Sequence, residues 1–377
     1  MAGLGGRLLG LEELFLLAAG GGALLLCAVA YVWVRRFTVY AQRTLTSGKV
    51  PAGGSCRVEL AITNRGRWTT PVLGLEDGSR GRFLLDPVGR SEKVPATYQF
   101  GAARRGLHAV GPLCVQLRDP FGLASRSVAA LAPSTLTVHP RVEPVELPDL
   151  TGASGGGGGP RRSTPSHLPG EDFHALRPYV EGDDLRLVHW PTSARLDTLV
   201  VRQDETPLLR QTLVVLDLRR SVHDDATLER AVSVAASVTA AACGDEGLAR
   251  LVTTGGVDSG SAGGEGHLAS VLDTLATVTG DASPDLQRLA SVLDQGEGAT
   301  VVLITTTAAA AGHLGALARL RLTSPLMVAV VLAAASRRRP APEVEGLLLF
   351  DRVVTVAPGT SFAEAWAGGV PGLLPGR

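Results

Sequence analysis

The chain has 377 residues, room for two domains and more, and its 36 basic and 36 acidic side chains give a formal net charge of zero, so no global field draws it to nucleic acid. Lysine occurs only at Lys49 and Lys93 while arginine is abundant, which with heavy Ala and Gly usage reads as a GC-rich coding bias rather than an RNA-binding arginine surface. The cysteines at 27, 56, 114 and 243 form no C-x-x-C pair and suggest no disulfide framework, so a reducing compartment is the simpler assumption.

A short tail, residues 1–13, precedes an uncharged run of 21 residues at 14–34, LFLLAAGGGALLLCAVAYVWV. At about 1.5 Å per residue it spans about 30 Å, the hydrocarbon thickness. Tyr31 and Trp33 stand where an aromatic belt belongs, and Arg35, Arg36, Arg43 and Lys49 follow. Against Arg7, Glu12 and Glu13 on the other flank, this bias predicts one transmembrane helix with residues 35 onward in the cytoplasm. A cleaved signal peptide fits less well, because the run is long and no A-x-A site precedes the arginines.

From 37 to 147 the pattern is that of strands. CRVELAIT (Cys56–Thr63) alternates Val58, Leu60 and Ile62 with Arg57, Glu59 and Ala61, and NRG at 64–66 turns it. LCVQLRD (113–119) alternates again before DPFG, and STLTVHP (134–140) ends on a proline. Cys56 keeps the inward parity of its strand and Cys114 is out of phase with its own, which argues against pairing them. Short strands without an intervening helix predict a small antiparallel all-β sandwich carrying no catalytic cluster. Residues 148–170, rich in Gly and Pro, read as a linker; no strand leads in and no G-K-[ST] follows, so they are not a phosphate loop.

After an arm at 171–205, residues 206–377 alternate strand and helix. QTLVVLDL (211–218), ARLVTT (249–254), ATVVLITT (299–306), PLMVAVVLAA (325–334) and FDRVVTVAPG (350–359) are buried parallel strands. Helices are expected over 228–244, 267–279, 284–294 and 311–321, with Ser361 capping a last short one. The predicted fold is a doubly wound α/β sheet, whose ligands sit at the carboxyl ends of strands; that directs attention to DLRRS at 217–221.

The arm holds the densest mixture of groups: RPYVEGDDLRLVHWPTSAR, residues 177–195. As chemistry, Asp183, Asp184, His189 and Ser193 could supply an acid, a base and a nucleophile. As architecture, the acids pair with Arg177, Arg186 and Arg195, which pushes carboxylate pKa values down, the wrong direction for a general acid. The latter reading is preferred. It has an extended arm with Tyr179 and Trp190 buried against the domain, Asp–Arg pairs fixing its path, and leftover charge forming a docking surface. His167, His174, His189 and His223 lack metal-ligand spacing.

Arg177, Tyr179, Gly182, Asp183, Asp184, Arg186, Trp190, Ser193, Ala194 and Arg195 stand in the register of the signature of the bacterial family called domain of unknown function 58, which the chain resembles. RRG at 104–106, DPFGL at 119–123 and VHP at 138–140 resemble that family's sandwich. Departures are Pro178, Pro191 and a single membrane helix where a pair is common. The resemblance implies a von Willebrand factor A-like α/β domain and a MoxR-type AAA+ ATPase as partner. It also implies a D-x-S-x-S metal site, in which Asp and hydroxyl oxygens hold a hard cation such as Mg²⁺. Here Asp217 and Ser221 hold the outer positions, but Arg219 stands in the middle, and a later strand ends in Thr306 and Thr307 without the further Asp. Arg219 or Arg220 is expected in the cation's place beside Asp217, with no cofactor. The expectation is a non-enzymatic, single-pass plasma-membrane adaptor that binds lipid through 14–34, works with the ATPase on a client not identified, and does not bind nucleic acid. The rival readings are a metal-dependent adhesion module using Asp217 and Ser221, and a hydrolase centred on Asp183, Asp184 and His189.

Overall fold

The computed structural model describes residues 12–35, 38–78, 81–147, 173–180, 188–196, 198–204, 210–244, 247–281, 299–306, 321, 324–333, 350–368 and 370–371. The first eleven residues, Arg36, the 148–170 linker, Gly182, Asp183, Asp184, Arg186, Thr307 and the helical stretches expected at 284–294 and 311–320 lie outside them. The chain divides into two compact units. One is Met1–Glu143 with Val232–Ser237 and Ala269–Gly280; the other is Pro144–Ala231, Val238–Leu268 and Asp281–Arg377.

In the first unit, helix α1 (Glu12–Val34) contains a stretch, Phe15–Val34, long and apolar enough to cross a membrane. It begins two residues earlier than the uncharged run, because Glu12 and Glu13 suit a helix N-terminus. Ten strands follow: β1 (Val39–Leu45), β2 (Lys49–Pro51), β3 (Ser55–Asn64), β4 (Leu73–Asp77), β5 (Gly81–Leu85), β6 (Lys93–Gly101), β7 (Gly106–Val110), β8 (Leu113–Arg118), β9 (Ser125–Leu131) and β10 (Ser134–His139). They form three sheets, ordered β1–β3–β6, β2–β10–β7 and β5–β4–β8–β9. All pairs are antiparallel except β2 with β10, a departure from the antiparallel expectation. That pair is three residues long and its outer strand closes on Pro51, which suits an edge.

Period-2 alternation places Val58, Leu60 and Ile62 of β3, Leu73 and Leu75 of β4, Leu113, Val115 and Leu117 of β8, and Leu136 and Val138 of β10 in one buried cluster. Cys56 joins that cluster and Cys114 is half-buried on the opposite parity, both as free thiols. A buried ion pair interrupts the apolar core. Asp77, at the end of β4, forms an ion pair with Arg43 of β1, both side chains fully buried, and accepts the Tyr98 hydroxyl at 2.8 Å. Arg43 also donates to the Ala132 carbonyl at 2.9 Å and to Ser134 Oγ at 3.2 Å. In the folded unit the Arg43 charge is therefore paired inside and not presented beside the membrane run. Burial, with the bond and the negative charge of Asp77, pushes the Tyr98 hydroxyl well above its ordinary pKa.

The second unit carries a two-stranded antiparallel ribbon, β11 (Phe173–Pro178) with β12 (Val200–Asp204), and between them the short helix α2 (Trp190–Leu196). Its larger sheet contains β13 (Gln211–Leu216), β14 (Leu248–Thr253), β15 (Thr300–Thr306), β16 (Met327–Leu332), β17 (Arg352–Val356) and β18 (Val370–Pro371), in the order β14–β13–β15–β16–β17–β18. The first five are parallel neighbours, and the two-residue β18, which the sequence did not announce, adds antiparallel at the edge. β15 and β16 are buried at every residue, as unbroken apolar runs require. Three helices are described between and after these strands: α3 (Asp225–Gly244), α4 (Gly264–Thr277) and α5 (Phe362–Ala367). α3 starts three residues before the expected Leu228. Asp224 caps it, its Oδ1 accepting the Thr227 N–H at 2.7 Å while Thr227 Oγ1 accepts the Asp224 N–H at 2.9 Å. Ser361 caps α5.

Candidate functional site

The carboxyl ends of β13 and β15 lie side by side, and the order β14–β13–β15 makes this the point where connections leave in opposite directions, the crevice in which open parallel sheets place ligands. Asp217, the residue after β13, is 1% exposed. Its backbone N–H donates to the Ile304 carbonyl at 3.0 Å, continuing the ladder by one residue.

Both carboxylate oxygens of Asp217 are engaged twice. Oδ1 accepts the Arg219 backbone N–H at 3.1 Å and Arg219 Nε at 2.9 Å; Oδ2 accepts Arg219 Nη2 at 2.8 Å and Thr305 Oγ1 at 2.9 Å. A carboxylate has about four lone-pair sites, so these four bonds saturate it. Burial works to raise the Asp217 pKa, but the bonds and charge of Arg219, with the Thr305 hydroxyl, outweigh it and hold the carboxyl below its ordinary value.

The loop after Asp217 is braced on all sides. Thr254 Oγ1 accepts the Leu218 N–H at 2.9 Å, and Asp281 exchanges backbone bonds with Leu218 and Arg220 at 2.7 and 2.9 Å. Thr306 donates its hydroxyl to the Val222 carbonyl at 3.1 Å. Ser221 is exposed. His223 is buried, with neither ring nitrogen bonded among the described residues, and burial above all holds its pKa below the ordinary imidazole value. No group of three or more His, Cys, Asp or Glu among the described residues is placed to hold a metal ion. Of the threonines ending β15, it is Thr305, which the sequence reading passed over, that reaches Asp217.

Among the described residues the 171–205 arm holds β11, α2 and β12, so it is not the single extended path expected from sequence. The Arg177 backbone pairs with Val201, and the Tyr179 N–H donates to the Leu199 carbonyl at 2.9 Å. Tyr179 is half-buried. Val188 bridges back to Val201, and the His189 N–H donates to the Val200 carbonyl at 2.8 Å. α2 then opens on Trp190 and Pro191; a proline in the first turn costs no intrahelical bond, so Pro191 is tolerated there.

Ser193 is buried and its hydroxyl is a latch. It accepts the Val200 N–H at 2.9 Å and donates to the His189 carbonyl at 3.1 Å, tying α2 to the first residue of β12. His189 Nδ1 lies 2.9 Å from Thr192 Oγ1. Neither Ser193 nor His189 is directed at the other as a nucleophile–base pair would be.

Trp190 overturns an expectation. It is 63% exposed rather than buried, and Val180, Leu196 and Leu199 are exposed with it. In the seven-residue α2 Ser193 is buried, while Trp190, Arg195 and Leu196 are exposed. The side chains of Gly182, Asp183, Asp184 and Arg186 fall outside the described residues, and so does that of Arg177.

The model of the family described as "Protein of unknown function DUF58" matches residues 175–322, which include the whole of 177–195, the Asp217 loop and the strands flanking it. No curated protein matches. The solved structures it is similar to include two of a CARDB domain from Pyrococcus furiosus. One, a crystal structure in complex with di-metal ions, is 10% identical with a TM-score of 0.20, covering 27% of this chain and 88% of that one. The other, in solution, is 11% identical with a TM-score of 0.18, covering 27% of this chain and 93% of that one.

Proposed function

We propose that this chain is a non-catalytic adaptor anchored in the plasma membrane by α1, with its β-rich sandwich and von Willebrand factor A-like, doubly wound domain in the cytoplasm. It would work with a MoxR-type AAA+ ATPase on the assembly or maturation of an envelope or other protein complex. The exposed Trp190 carries this reading. A free-standing indole in the middle of the family signature, with Val180, Leu196 and Leu199 also exposed, is the composition of an interaction hot spot, not of a reaction centre. The parallel order β14–β13–β15–β16–β17 supports the fold assignment. Arg35 at the end of α1 supports the orientation.

The alternative, a metal-dependent adhesion module at Asp217 and Ser221, is disfavoured by the residues present. Asp217 has no lone pair left for a cation, and the Arg219 guanidinium fills the position a hydroxyl would need. Titrating the protein with Mg²⁺ in a calorimeter should give no stoichiometric heat; heat abolished by Asp217→Ala would favour the metal reading. The adaptor reading is tested by affinity capture from detergent-solubilised membranes with wild type, Trp190→Ala and Arg195→Ala. Loss of a hot-spot side chain should lower recovery of the AAA+ ATPase by about tenfold or more. Equal recovery by all three would remove the docking role from the signature.

A further inference from the structure

Two loops of the first unit bracket the point where the chain leaves α1. β1 starts five residues after Val34 and pairs Val39 with Asn64, which returns the loop after β3 to that point. There the Arg65 N–H donates to the Thr38 carbonyl at 2.9 Å, and Trp68 stands 84% exposed. On the other side the Arg126 guanidinium lies 5.6 Å from the Trp33 ring centroid.

Arg126 is the second residue of β9, and β9 runs away from the helix. Its far end leads to Ala132, whose carbonyl receives Arg43 from the middle of β1. The loop Asp119–Ala124 before β9 therefore points back along the last turns of α1, where Ala28 and Val32 are buried and Tyr31 packs on the β core. At its tip Phe121 is 72% and Leu123 46% exposed.

This loop does not collapse onto the unit to hide them, because it is held rigid. Asp119 accepts the Phe121 N–H at 2.9 Å on Oδ2 and the Ala124 N–H at 2.6 Å on Oδ1, and its carbonyl accepts the Gly122 N–H at 3.0 Å. Gly122, at φ +71°, supplies the left-handed turn that a side chain would strain. Exposed arginines flank both tips, Arg67 beside Trp68 and Arg118 and Arg126 around Phe121.

We propose that these two loops seat the first unit in the phospholipid headgroup layer. Trp68, Phe121 and Leu123 would enter the acyl boundary, and Arg67, Arg118 and Arg126 would bind lipid phosphates. This rests on α1 crossing the membrane. An aromatic or aliphatic tip edged by guanidinium groups is the chemistry of an interfacial insertion. The arrangement would make the unit ride on the bilayer rather than hang from a tether: Trp33 and Arg126 stack at the helix end, and the loop after β3 returns to the residues that follow it.

Spin labelling in lipid nanodiscs tests it with the full chain. In a background with Cys27, Cys56, Cys114 and Cys243 replaced, single cysteines are placed at 27, 107 and 121, each variant first matched to wild type by circular dichroism. Nitroxide accessibility to oxygen against a nickel chelate should read lipid at 27, water at Leu107→Cys and lipid interface at Phe121→Cys. Should Phe121→Cys misfold, Leu123→Cys takes its place with the same expectation. Lipid at 27 with an aqueous reading at 121 or 123 would overturn the seating while leaving the anchor intact. An aqueous reading at 27 would overturn the anchor, and the seating with it.

Discussion

Asp217 and Arg219 show how one residue type decides the character of a site. Because burial alone would raise the Asp217 pKa and Arg219 reverses that, the two are energetically one unit. Asp217→Ala should cost about 3 kcal/mol by stranding the guanidinium, and Asp217→Ala/Arg219→Ala should lose less than the sum of the singles. Chemical denaturation of the four proteins checks this. The folded pKa of Asp217 lies below its ordinary 3.8, so its contribution is present above that pH and is lost as pH falls through the folded value. His223 acts in the same direction at a higher pH. Its folded pKa is below the ordinary 6.5, so as pH drops past 6.5 the unfolded chain takes up the proton first and stability declines. Replacing the buried ring in His223→Phe should flatten the fall in thermal midpoint between about pH 7 and pH 5. A slope equal to that of wild type would assign the acid sensitivity to other groups.

Among the elements, β1 and β4 belong to different sheets and are joined by Arg43 and Asp77, fully buried and tied further to Tyr98, Ala132 and Ser134. Breaking a buried pair from one side leaves an uncompensated charge, so Arg43→Met should destabilise the first unit by about 3–5 kcal/mol. Asp77→Asn should cost as much, since it strands the buried Arg43 guanidinium, which cannot shed its charge, even though the amide oxygen can still accept the tyrosine. Urea unfolding of the variants measures both. The start of α3 is a smaller matter: Asp224→Ala removes the cap and should cost about 1 kcal/mol. It was missed because D-A-T lacks the Glu or Gln that normally completes a capping box; Thr227 performs that role with its hydroxyl.

For the whole molecule, α1 is the element on which location turns. The chain lacking residues 1–34 should leave the membrane fraction in a flotation gradient, because a few inserted side chains without a spanning helix hold only marginally. A truncated chain that still floats quantitatively would show that α1 is dispensable for membrane association.

Alternation in β3 and β8 and the apolar runs of β13, β15 and β16 could be read in advance, because burial on one face or two writes itself into periodicity. The helix long enough for a bilayer and the substitution of Arg219 in the D-x-S-x-S frame were equally legible, since length and side-chain chemistry are local properties. Partnership was not. Arg43 looked like a membrane-flanking charge and proved to be the mate of Asp77, 34 residues on. Trp190, the residue with most to gain from burial, faces solvent, while the small Ser193 one turn on is buried and tied to β12. Thr305 reaches Asp217 from 88 residues away because β13 and β15 are neighbours in the sheet. Sequence alone determined which segments could bury a face and how wide each face is. Which charge meets which, and which large side chain is left outside, depends on contacts between distant segments, and only the assembled sheets decide those.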